Sequence, residues 1–566
     1  MFWRVLAAAV GGYLLASLLP IPLVAPWPLA RADAVITAMM ASFAVYTAAI
    51  MAAFASRTAL RQSMAALHTW MGLLFGWLLY FMFVTGTAGY LDTEIDRWMR
   101  PELPPAVYPL AAEGVARTGI AYLEANAPGA RRWTITIPTD RNDPYLRVTW
   151  RGANGNGAAF LDPATGEPLA ARETGGGQAL YRMHWVLHYM PVAAAEGIVG
   201  IATMFMLVAI VTGIVVHRRI FADFFTFRPR KGQRSWLDAH NLASVVSLPY
   251  QIMITWSGLI FVMFSYMPLI IAAWYGPGGL DGRAFLEEVF PSPARAAATG
   301  KPVPMVSPGA VLADARPRLA GAAVTLLEID NPGDAAARIT VVGDFAQGPL
   351  RAADLLTYDG ASGELLSTRA RWLSGPKAFR DLMLGLHEGL FAGPALRALY
   401  LLAGLLGTAM VGTGLVLWSV KRRQRVEKER ARAHAGLRLV EKLNVGTIIG
   451  LPVAIATYFW ANRLLPVDLP RRGAWELDAL FMAWLAMMAH AAVRPVARGW
   501  FEQSLLAALA FGLLPVLNAF TSARHLGVTL GQGDWVMAGF DLSMLGIGAA
   551  FLWLALHLRK RKHAPC

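Results

Sequence analysis

Long apolar runs alternate with polar segments along almost the whole chain. A helix needs about 20 apolar residues to cross the roughly 30 Å of hydrocarbon in a bilayer. Ten runs reach this length and predict ten membrane-spanning helices. They lie at roughly 4–25, 34–55, 65–90, 192–217, 242–271, 394–420, 442–463, 475–493, 500–522 and 535–558. The first run lacks a clean small-residue cleavage site, so we interpret it as a retained span rather than a signal peptide.

Two long segments between these runs, at roughly 91–185 and 272–385, follow another pattern. They are rich in proline, glycine and charge, and they contain stretches that alternate as strands do. The predicted strand stretches are 133–137, 145–150, 160–169, 324–329, 338–342 and 356–366. We therefore predict a polytopic α-helical membrane protein with two small, related α+β domains.

The two segments share a hairpin motif with the spacing Asp-x-x-x-Gly-Glu. Its residues are Asp162, Gly166 and Glu167 in the first segment and Asp359, Gly363 and Glu364 in the second. In such a hairpin the aspartate can cap the turn, and the glycine can take a positive φ. The motif predicts a turn and does not by itself indicate catalysis.

Composition and charge support this interpretation. The chain has 566 residues, of which 56% are hydrophobic and 16% charged, which excludes an ordinary soluble protein. The net charge of +14 comes from four basic clusters, at Arg57 with Arg61, 218–238, 421–442 and 559–562. If the spans alternate in direction, all four lie on one side, which is the positive-inside pattern. We expect both termini to be cytoplasmic, the two polar segments to be outside, and the clusters to meet lipid headgroups rather than nucleic acid.

Six of the eleven histidines stand at the ends of four apolar runs, where an unpaired polar ring is unfavourable unless it binds something. They are His68, His184, His188, His217, His240 and His387. Four of them recur when the chain is aligned with itself. His68 precedes Gly86, and His240 precedes Gly258, in each case by eighteen residues. His188 and His387 each begin an apolar run, and these runs end at Thr212-Gly213 and Thr413-Gly414, respectively. Imidazoles from different helices at equal depth can ligate a b-type haem.

Depth divides these histidines into two groups, which predicts two haems. His68, His217 and His240 lie near basic clusters, and His184, His188 and His387 lie at the opposite face. We predict that His387 pairs with His188, because the two correspond in the repeat. On the cytoplasmic side we predict that His217 meets either His68 or His240.

Other roles for these histidines stay open. His184 and His188, four residues apart on a helix, could bind zinc or copper instead. His217 and His240 could be ordinary snorkelling residues near basic clusters. His490 and His525 are interpreted as structural. A third copy of the pattern has Leu443 where His240 stands, so the helix does not need a histidine there in order to pack.

The only cysteine is Cys566, the last residue. This excludes an internal disulfide, a covalent c-type haem and a cysteine-ligated iron–sulfur cluster within one chain. The sequence also has no Gly-rich dinucleotide fingerprint and no P-loop lysine motif. A redox protein built from this chain must therefore hold haem without a covalent bond and receive electrons from elsewhere.

Several of these motifs together resemble a known family over about 60–425. They are the span from His68-Thr69-Trp70-Met71-Gly72 to Thr85-Gly86, the two hairpins, and the histidines His184, His188 and His387 that precede the return spans. The chain resembles the PepSY-associated transmembrane proteins, which include bacterial inner-membrane ferric-siderophore reductases. The resemblance implies four core helices, two periplasmic PepSY domains, b-type haems between the helices and electron delivery to a ferric chelate outside.

These observations predict a haem-containing oxidoreductase of the bacterial inner membrane that reduces ferric iron, held by a siderophore, in the periplasm. Membrane quinol or a partner would donate the electrons. The alternatives are a non-redox PepSY protein that binds peptide or regulates an envelope protease, and a transporter for a metal chelate. The expected organisation is two N-terminal helices (1–58), a core helix (59–91), a first PepSY-like domain (92–183), two core helices (184–271), a second PepSY-like domain (272–385), a core helix (386–425) and a linker with four C-terminal helices (426–566).

Overall fold

A computed structural model shows a helical membrane protein with one β-sheet. It describes residues 10–55, 60–152, 155–217, 227–229, 231–278, 282–290, 296–371, 375–430 and 434–562. Within these residues, nine helices are long and apolar enough to cross a membrane. They confirm nine of the ten predicted spans. Of the first predicted span, residues 12–24 form a shorter apolar helix, and residues 1–9 lie outside the described part of the chain.

The described helices are numbered here in chain order. They are α1 (Gly12–Leu18), α2 (Pro20–Val24), α3 (Arg31–Phe54), α4 (Leu60–Gly89), α5 (Asp92–Met99), α6 (Ala112–Asn126), α7 (Gly176–Val186), α8 (Val192–Val216), α9 (Gln233–Val246), α10 (Leu248–Tyr266), α11 (Pro268–Tyr275), α12 (Arg283–Val289), α13 (Pro308–Arg318), α14 (Gly375–Glu388), α15 (Pro394–Lys428), α16 (Ala435–Ile448), α17 (Gly450–Leu464), α18 (Arg472–Val493), α19 (Val496–Gly512), α20 (Leu514–Thr521), α21 (Leu526–Gln532) and α22 (Trp535–Lys562).

Prolines interrupt several of the predicted spans. The span expected at 242–271 divides into α9, α10 and α11, with Pro249 and Pro268 at the starts of the second and third pieces. Pro452 and Pro515 similarly lie in the first turns of α17 and α20. Proline has no N–H to donate and its ring crowds the preceding turn, so the helix bends or restarts there.

The strands of both polar segments form one antiparallel sheet of seven strands in the described residues. The strands are β1 (Ala130–Thr136), β2 (Leu146–Gly152), β3 (Gly155–Leu161), β4 (Val324–Asp330), β5 (Arg338–Gly343), β6 (Leu355–Asp359) and β7 (Leu365–Arg369). Their order is β3-β2-β1-β4-β5-β6-β7, so the segments meet where β1 pairs with β4. Arg132 on β1 donates two hydrogen bonds, of 2.7 and 3.0 Å, to Asp330 on β4.

Both Asp-x-x-x-Gly-Glu turns form as predicted. Oδ1 of Asp162 accepts hydrogen bonds from two turn amides, as does Oδ1 of Asp359. Gly166 and Gly363 have φ values of +76° and +77°. The two hairpins differ after the turn. In the second hairpin the chain continues as strand β7, whereas in the first hairpin the predicted second strand of 160–169 is reduced to an isolated bridge between Leu161 and Pro168.

Four spans of the repeated region form a ring of packed helices. The neighbours are α4 with α8, α8 with α10, α9 with α15, and α15 with α4. The short helices α7 and α14 follow the strands of each polar segment and pack at the end of the ring that carries the sheet. We call this the sheet end of the bundle and the opposite end the far end.

Candidate functional site

Two histidines face each other at the sheet end of the bundle. His184 lies in the last turn of α7 and His387 in the last turn of α14. Their ring centres are 6.3 Å apart, and the ring planes differ by 19°. Nδ1 of His184 is bonded to the main-chain carbonyl of Tyr181, and Nδ1 of His387 lies 2.8 Å from the hydroxyl of Ser257. We call this the sheet-end pair.

A second pair of histidines occupies the far end. His68 on α4 and His240 on α9 have ring centres 6.2 Å apart, with planes at 71°. Nδ1 of His68 lies 2.8 Å from the carbonyl of Ala209, and Nδ1 of His240 lies 2.8 Å from the carbonyl of Met410. We call this the far-end pair. Because these bonds occupy Nδ1, Nε2 of each ring is left to meet a ligand.

Each of the four rings lies against a helical glycine. A β-carbon on that glycine would come within 3.2–3.6 Å of ring atoms. The contacts are His68 with Gly213, His240 with Gly414, His387 with Gly258 and His184 with Gly86. The glycines that the repeat singled out in the sequence are therefore the surfaces on which the imidazoles rest.

The two pairs lie at opposite ends of the same helices. His68 of the far-end pair and Gly86, which contacts the sheet-end pair, belong to α4 and are eighteen residues apart. At 1.5 Å per residue this separation is about 27 Å. The pairs are thus two sites, each near one face of the bundle.

A cavity surrounds the sheet-end pair. Its volume is about 730 Å³, and both His184 and His387 line it. This is within the range of about 300–1,000 Å³ that is typical of small-molecule and cofactor sites. The cavity reaches from Met206 within the bundle to Asn142 and Phe345 in the loops of the sheet.

One buried polar atom on the wall of this cavity lacks a partner. Nε1 of Trp185, next to His184, makes no hydrogen bond with the described residues. A buried donor without an acceptor is unfavourable by about 1–3 kcal/mol. A ligand with an acidic or carbonyl oxygen at this point would satisfy it.

The environment of the sheet-end pair keeps both rings neutral. Burial, together with the neighbouring His184, lowers the pKa of His387 to about 3. Burial also lowers the pKa of His184, against the opposite effect of its bond to the Tyr181 carbonyl. The neutral imidazole is the form that ligates a metal.

The sheet-end pair differs from the predicted one. His387 meets His184, whereas we expected His188 from the repeat. Helix α7 ends at Val186, and Leu187 and Tyr189 have φ values of +48° and +64°. The chain therefore turns His188 away, and its ring stacks on Phe481 of α18, with centres 5.5 Å apart. His184 and His188 consequently do not share a helical face, which was the basis for expecting a zinc or copper site between them.

The far-end pair also differs from the predicted one, because it does not contain His217. His68 meets His240, and the ring of His217 makes no ring contact within the described residues. His217 ends α8, where its backbone N–H donates to the carbonyl of Gly213. Nε2 of His490 donates a hydrogen bond of 3.1 Å to the carboxylate of Glu502. The described residues contain no group of three or more His, Cys, Asp or Glu side chains that could hold a metal ion.

Comparison with known proteins places most of the chain in a family. The family model described as the PepSY-associated TM region matches residues 65–421, a range that contains all six candidate histidines. The chain is also 26% identical over 361 residues to an uncharacterized protein of Pseudomonas aeruginosa; the alignment covers 61% of this chain and 86% of that relative. Helices α16 to α22 lie outside the matched range.

Proposed function

We propose that this multi-pass membrane protein, which belongs to the family of PepSY-associated transmembrane proteins, is a haem-dependent reductase of ferric iron. It binds two b-type haems, one at each histidine pair, and passes electrons across the bacterial inner membrane to a ferric chelate such as a ferric siderophore.

The spacing of the paired imidazoles carries the proposal. Two imidazoles that bind one metal ion from opposite sides, with bonds of about 2 Å, have ring centres about 6 Å apart. The ring centres are 6.3 Å apart in the sheet-end pair and 6.2 Å apart in the far-end pair. Nδ1 of each ring is already bonded, so Nε2 is the nitrogen that each pair could offer to a metal ion.

The surroundings of the rings also fit a haem. Histidines that bind metals usually donate the other ring N–H to a carbonyl or a similar acceptor, as these do to Ala209, Met410 and Tyr181. The sheet-end cavity is large and its surface is mostly apolar, and Nε1 of Trp185 offers a donor for a propionate.

Haem, when bound, would supply one-electron transfer through its iron, at a potential tuned by the histidines that hold it and by their hydrogen bonds. The protein's own residues fix the orientation and the charge state of the histidines. The carbonyls of Ala209 and Met410 orient His68 and His240, and the hydroxyl of Ser257 orients His387. Burial lowers the pKa of His184 and of His387 and so keeps both rings neutral, the form that can ligate a metal.

The sheet end is the face at which a ferric chelate would be reduced. The cavity there opens among loop residues that include Asn142, Asp143 and Arg351, whose polar groups suit a hydrophilic chelate. Reduction to Fe²⁺ lowers the charge and hardness of the ion, so oxygen ligands release it more readily. Basic residues near the far end, such as Arg61 and Arg422, support a cytoplasmic location for that end, and the sheet would then be periplasmic. Membrane quinol or a partner protein would donate the electrons.

Reoxidation of the purified, reduced protein tests this function. A ferric siderophore is added without oxygen, and Fe²⁺ is trapped with a ferrous-specific chelator. We expect one Fe²⁺ for each electron that the protein loses. His188→Ala serves as the matched control and should still reduce the ferric siderophore, whereas His387→Ala should not. A haem-loaded protein that stays reduced with every ferric chelate would contradict the proposed activity.

A further inference from the structure

The helices that follow the matched region contact the segment that carries His184. We define the C-terminal module as residues 435–562, which comprise α16 to α22. We infer that this module is a positioning device: it clamps helix α7 at both ends and thereby sets the place of His184 opposite His387. The inference rests on the proposed function, because it assigns His184 as a ligand.

The first contact holds the residues that lead into α7. Glu476 of α18 accepts hydrogen bonds from the hydroxyl of Thr174 and, at 3.1 Å, from the amide of Gly175. The hydroxyl of Tyr458 on α17 donates to the carbonyl of Gly176 at 2.9 Å. These bonds fix the backbone at the point where α7 begins.

Buried charges stabilise this first contact. Arg472 and Glu476 form an ion pair in which both side chains are 0% exposed. Arg472 also donates to the carbonyl of Glu173, at 3.0 Å. A buried ion pair is favourable only if its remaining donors and acceptors are satisfied, and here the chain just before α7 supplies several of those partners. Loss of the contact would leave these charges without them.

Close backbone approach adds to the contact. A β-carbon on Gly473 would come within 2.8 Å of the amide nitrogen of Gly175, so α18 and the start of α7 touch with no side chain between them. A β-carbon on Gly175 would in turn meet the hydroxyl of Tyr458 at 2.6 Å. The fit therefore depends on two glycines facing each other.

The second contact holds the residues that follow α7. The ring of His188 stacks on Phe481, with planes 9° apart, and the hydroxyl of Tyr189 is bonded to Asp478. Leu187 and Tyr189 both have the left-handed backbone conformation, which is unfavourable for residues with side chains. The contacts with α18 offset that strain and fix where α7 ends.

His184 lies between these two contacts on a helix of only eleven residues. The helix of its partner, His387, is held by other elements. Asp33 of α3 accepts a hydrogen bond from the amide of Lys377 in the first turn of α14, and α14 packs on α10 and α3. Changes in the C-terminal module should therefore act on one ligand of one haem.

Three variants test the inference. Glu476→Gln weakens the first contact, and Phe481→Leu weakens the second at a partly exposed position where folding is less at risk. The matched control is Glu502→Gln, which removes the ion pair between Arg494 and Glu502 in the same module. The two readouts are carbon monoxide binding to each reduced haem and hydrogen exchange of the amides in α7.

Carbon monoxide must displace an axial imidazole, so its affinity reports how firmly that imidazole is held. We expect Glu476→Gln and Phe481→Leu each to raise the affinity of the sheet-end haem for carbon monoxide by about tenfold, because each variant loses one buried contact. The far-end haem should be unchanged, as should both haems in Glu502→Gln. If both test variants bind two haems and match the control at each, the inference is overturned.

Hydrogen exchange separates this inference from the proposed function, because it needs no haem. The amides of α7 should exchange faster in both test variants than in Glu502→Gln. If the unaltered protein binds no haem, the proposed function fails, and the exchange data still judge the clamp: unchanged protection of α7 would refute it.

Discussion

At each of the four paired histidines, one ring nitrogen is held by the protein, and the ring centre lies about 6 Å from that of a second imidazole. Nδ1 is bonded to a backbone carbonyl at His68, His184 and His240, and to a hydroxyl at His387. Such bonds fix both the tautomer and the direction of the ring. The residue types were visible in the sequence, but their hydrogen-bond acceptors were not, because backbone carbonyls are the same at every position.

The sheet-end pairing predicts how substitutions divide among the histidines. His184→Ala and His387→Ala should each remove the haem at the sheet end and leave the other, so the haem content falls by about half. His188→Ala should keep both haems, since His188 packs on Phe481. Haem content per chain checks this. A loss in His188→Ala equal to that in His387→Ala would contradict the pairing.

Asp92, at the edge of the sheet-end cavity, predicts a pH effect on stability. Burial raises the pKa of Asp92 to about 6, although Arg141 opposes the shift. A carboxyl group with a higher pKa in the folded than in the unfolded state destabilises the fold while ionised, and this effect disappears as the pH falls through about 6. Asp92→Asn should therefore raise the free energy of unfolding at pH 8 by on the order of 2 kcal/mol, which a higher thermal midpoint would show. At pH 4 the substitution should have little effect.

The opposite shift at Asp162 supplies the control for that experiment. Turn amides lower the pKa of Asp162, so this carboxylate stabilises the fold above its unfolded pKa, and the stabilisation is lost as the pH falls. Asp162→Asn should lower the midpoint at pH 8 and matter less in acid. An Asp92→Asn protein that melts lower than the unaltered protein at pH 8 would refute the first prediction.

Among the helices, the Thr-Gly pairs gain a physical meaning. The glycine makes room for an imidazole, and the carbonyl four residues earlier accepts its N–H, as Gly213 and the carbonyl of Ala209 do for His68. Gly414 and the carbonyl of Met410 repeat this arrangement for His240. All four glycines that mark the internal repeat therefore lie against a paired imidazole, a contact that the sequence did not predict.

The repeat failed where the two halves end their helices differently. It aligned His188 with His387 because each follows a leucine. Helix α14 continues through His387 to Glu388, whereas α7 ends at Val186. The left-handed residues beyond α7 depend on contacts with Phe481, nearly three hundred residues away. No local sequence pattern therefore predicts their conformation.

A larger side chain at Gly414 should exclude the far-end haem alone. A β-carbon there already comes within 3.2 Å of His240, so Gly414→Leu would push the ring out of place. Gly546→Leu is the control, because a β-carbon at that position meets nothing within 4 Å. Separate redox titration of the two haems distinguishes them. Unaltered far-end haem in Gly414→Leu would contradict the role assigned to this glycine.

For the whole molecule, the main feature beyond the sequence is the joined sheet. The alternation of apolar and polar residues predicted most of its strands, and the two Asp-x-x-x-Gly-Glu motifs predicted two of its turns. The pairing of β1 with β4 joins strands nearly two hundred residues apart, and edge strands carry no sequence code for their partner. The same limit applies to the contacts between the C-terminal module and α7, whose partners are equally distant.

A cysteine pair tests the joined sheet. Thr134 and Glu328 are directly opposite each other on β1 and β4, where Cα atoms are about 4.5–5.5 Å apart and a disulfide can form. The double variant Thr134→Cys/Glu328→Cys should cross-link within one chain on mild oxidation, against a background of only Cys566. Thr134→Cys/Thr340→Cys should not, since β5 is two strands from β1. Equal cross-linking in both would argue against the shared sheet.

The most direct measurement on the central claim is the haem content of the purified protein, with its reduced-minus-oxidised spectrum, after expression with adequate haem. Two histidine pairs, each at the spacing of paired axial ligands, predict two low-spin b-type haems per chain and clear Soret and α bands. A well-folded protein that shows neither band would contradict the account.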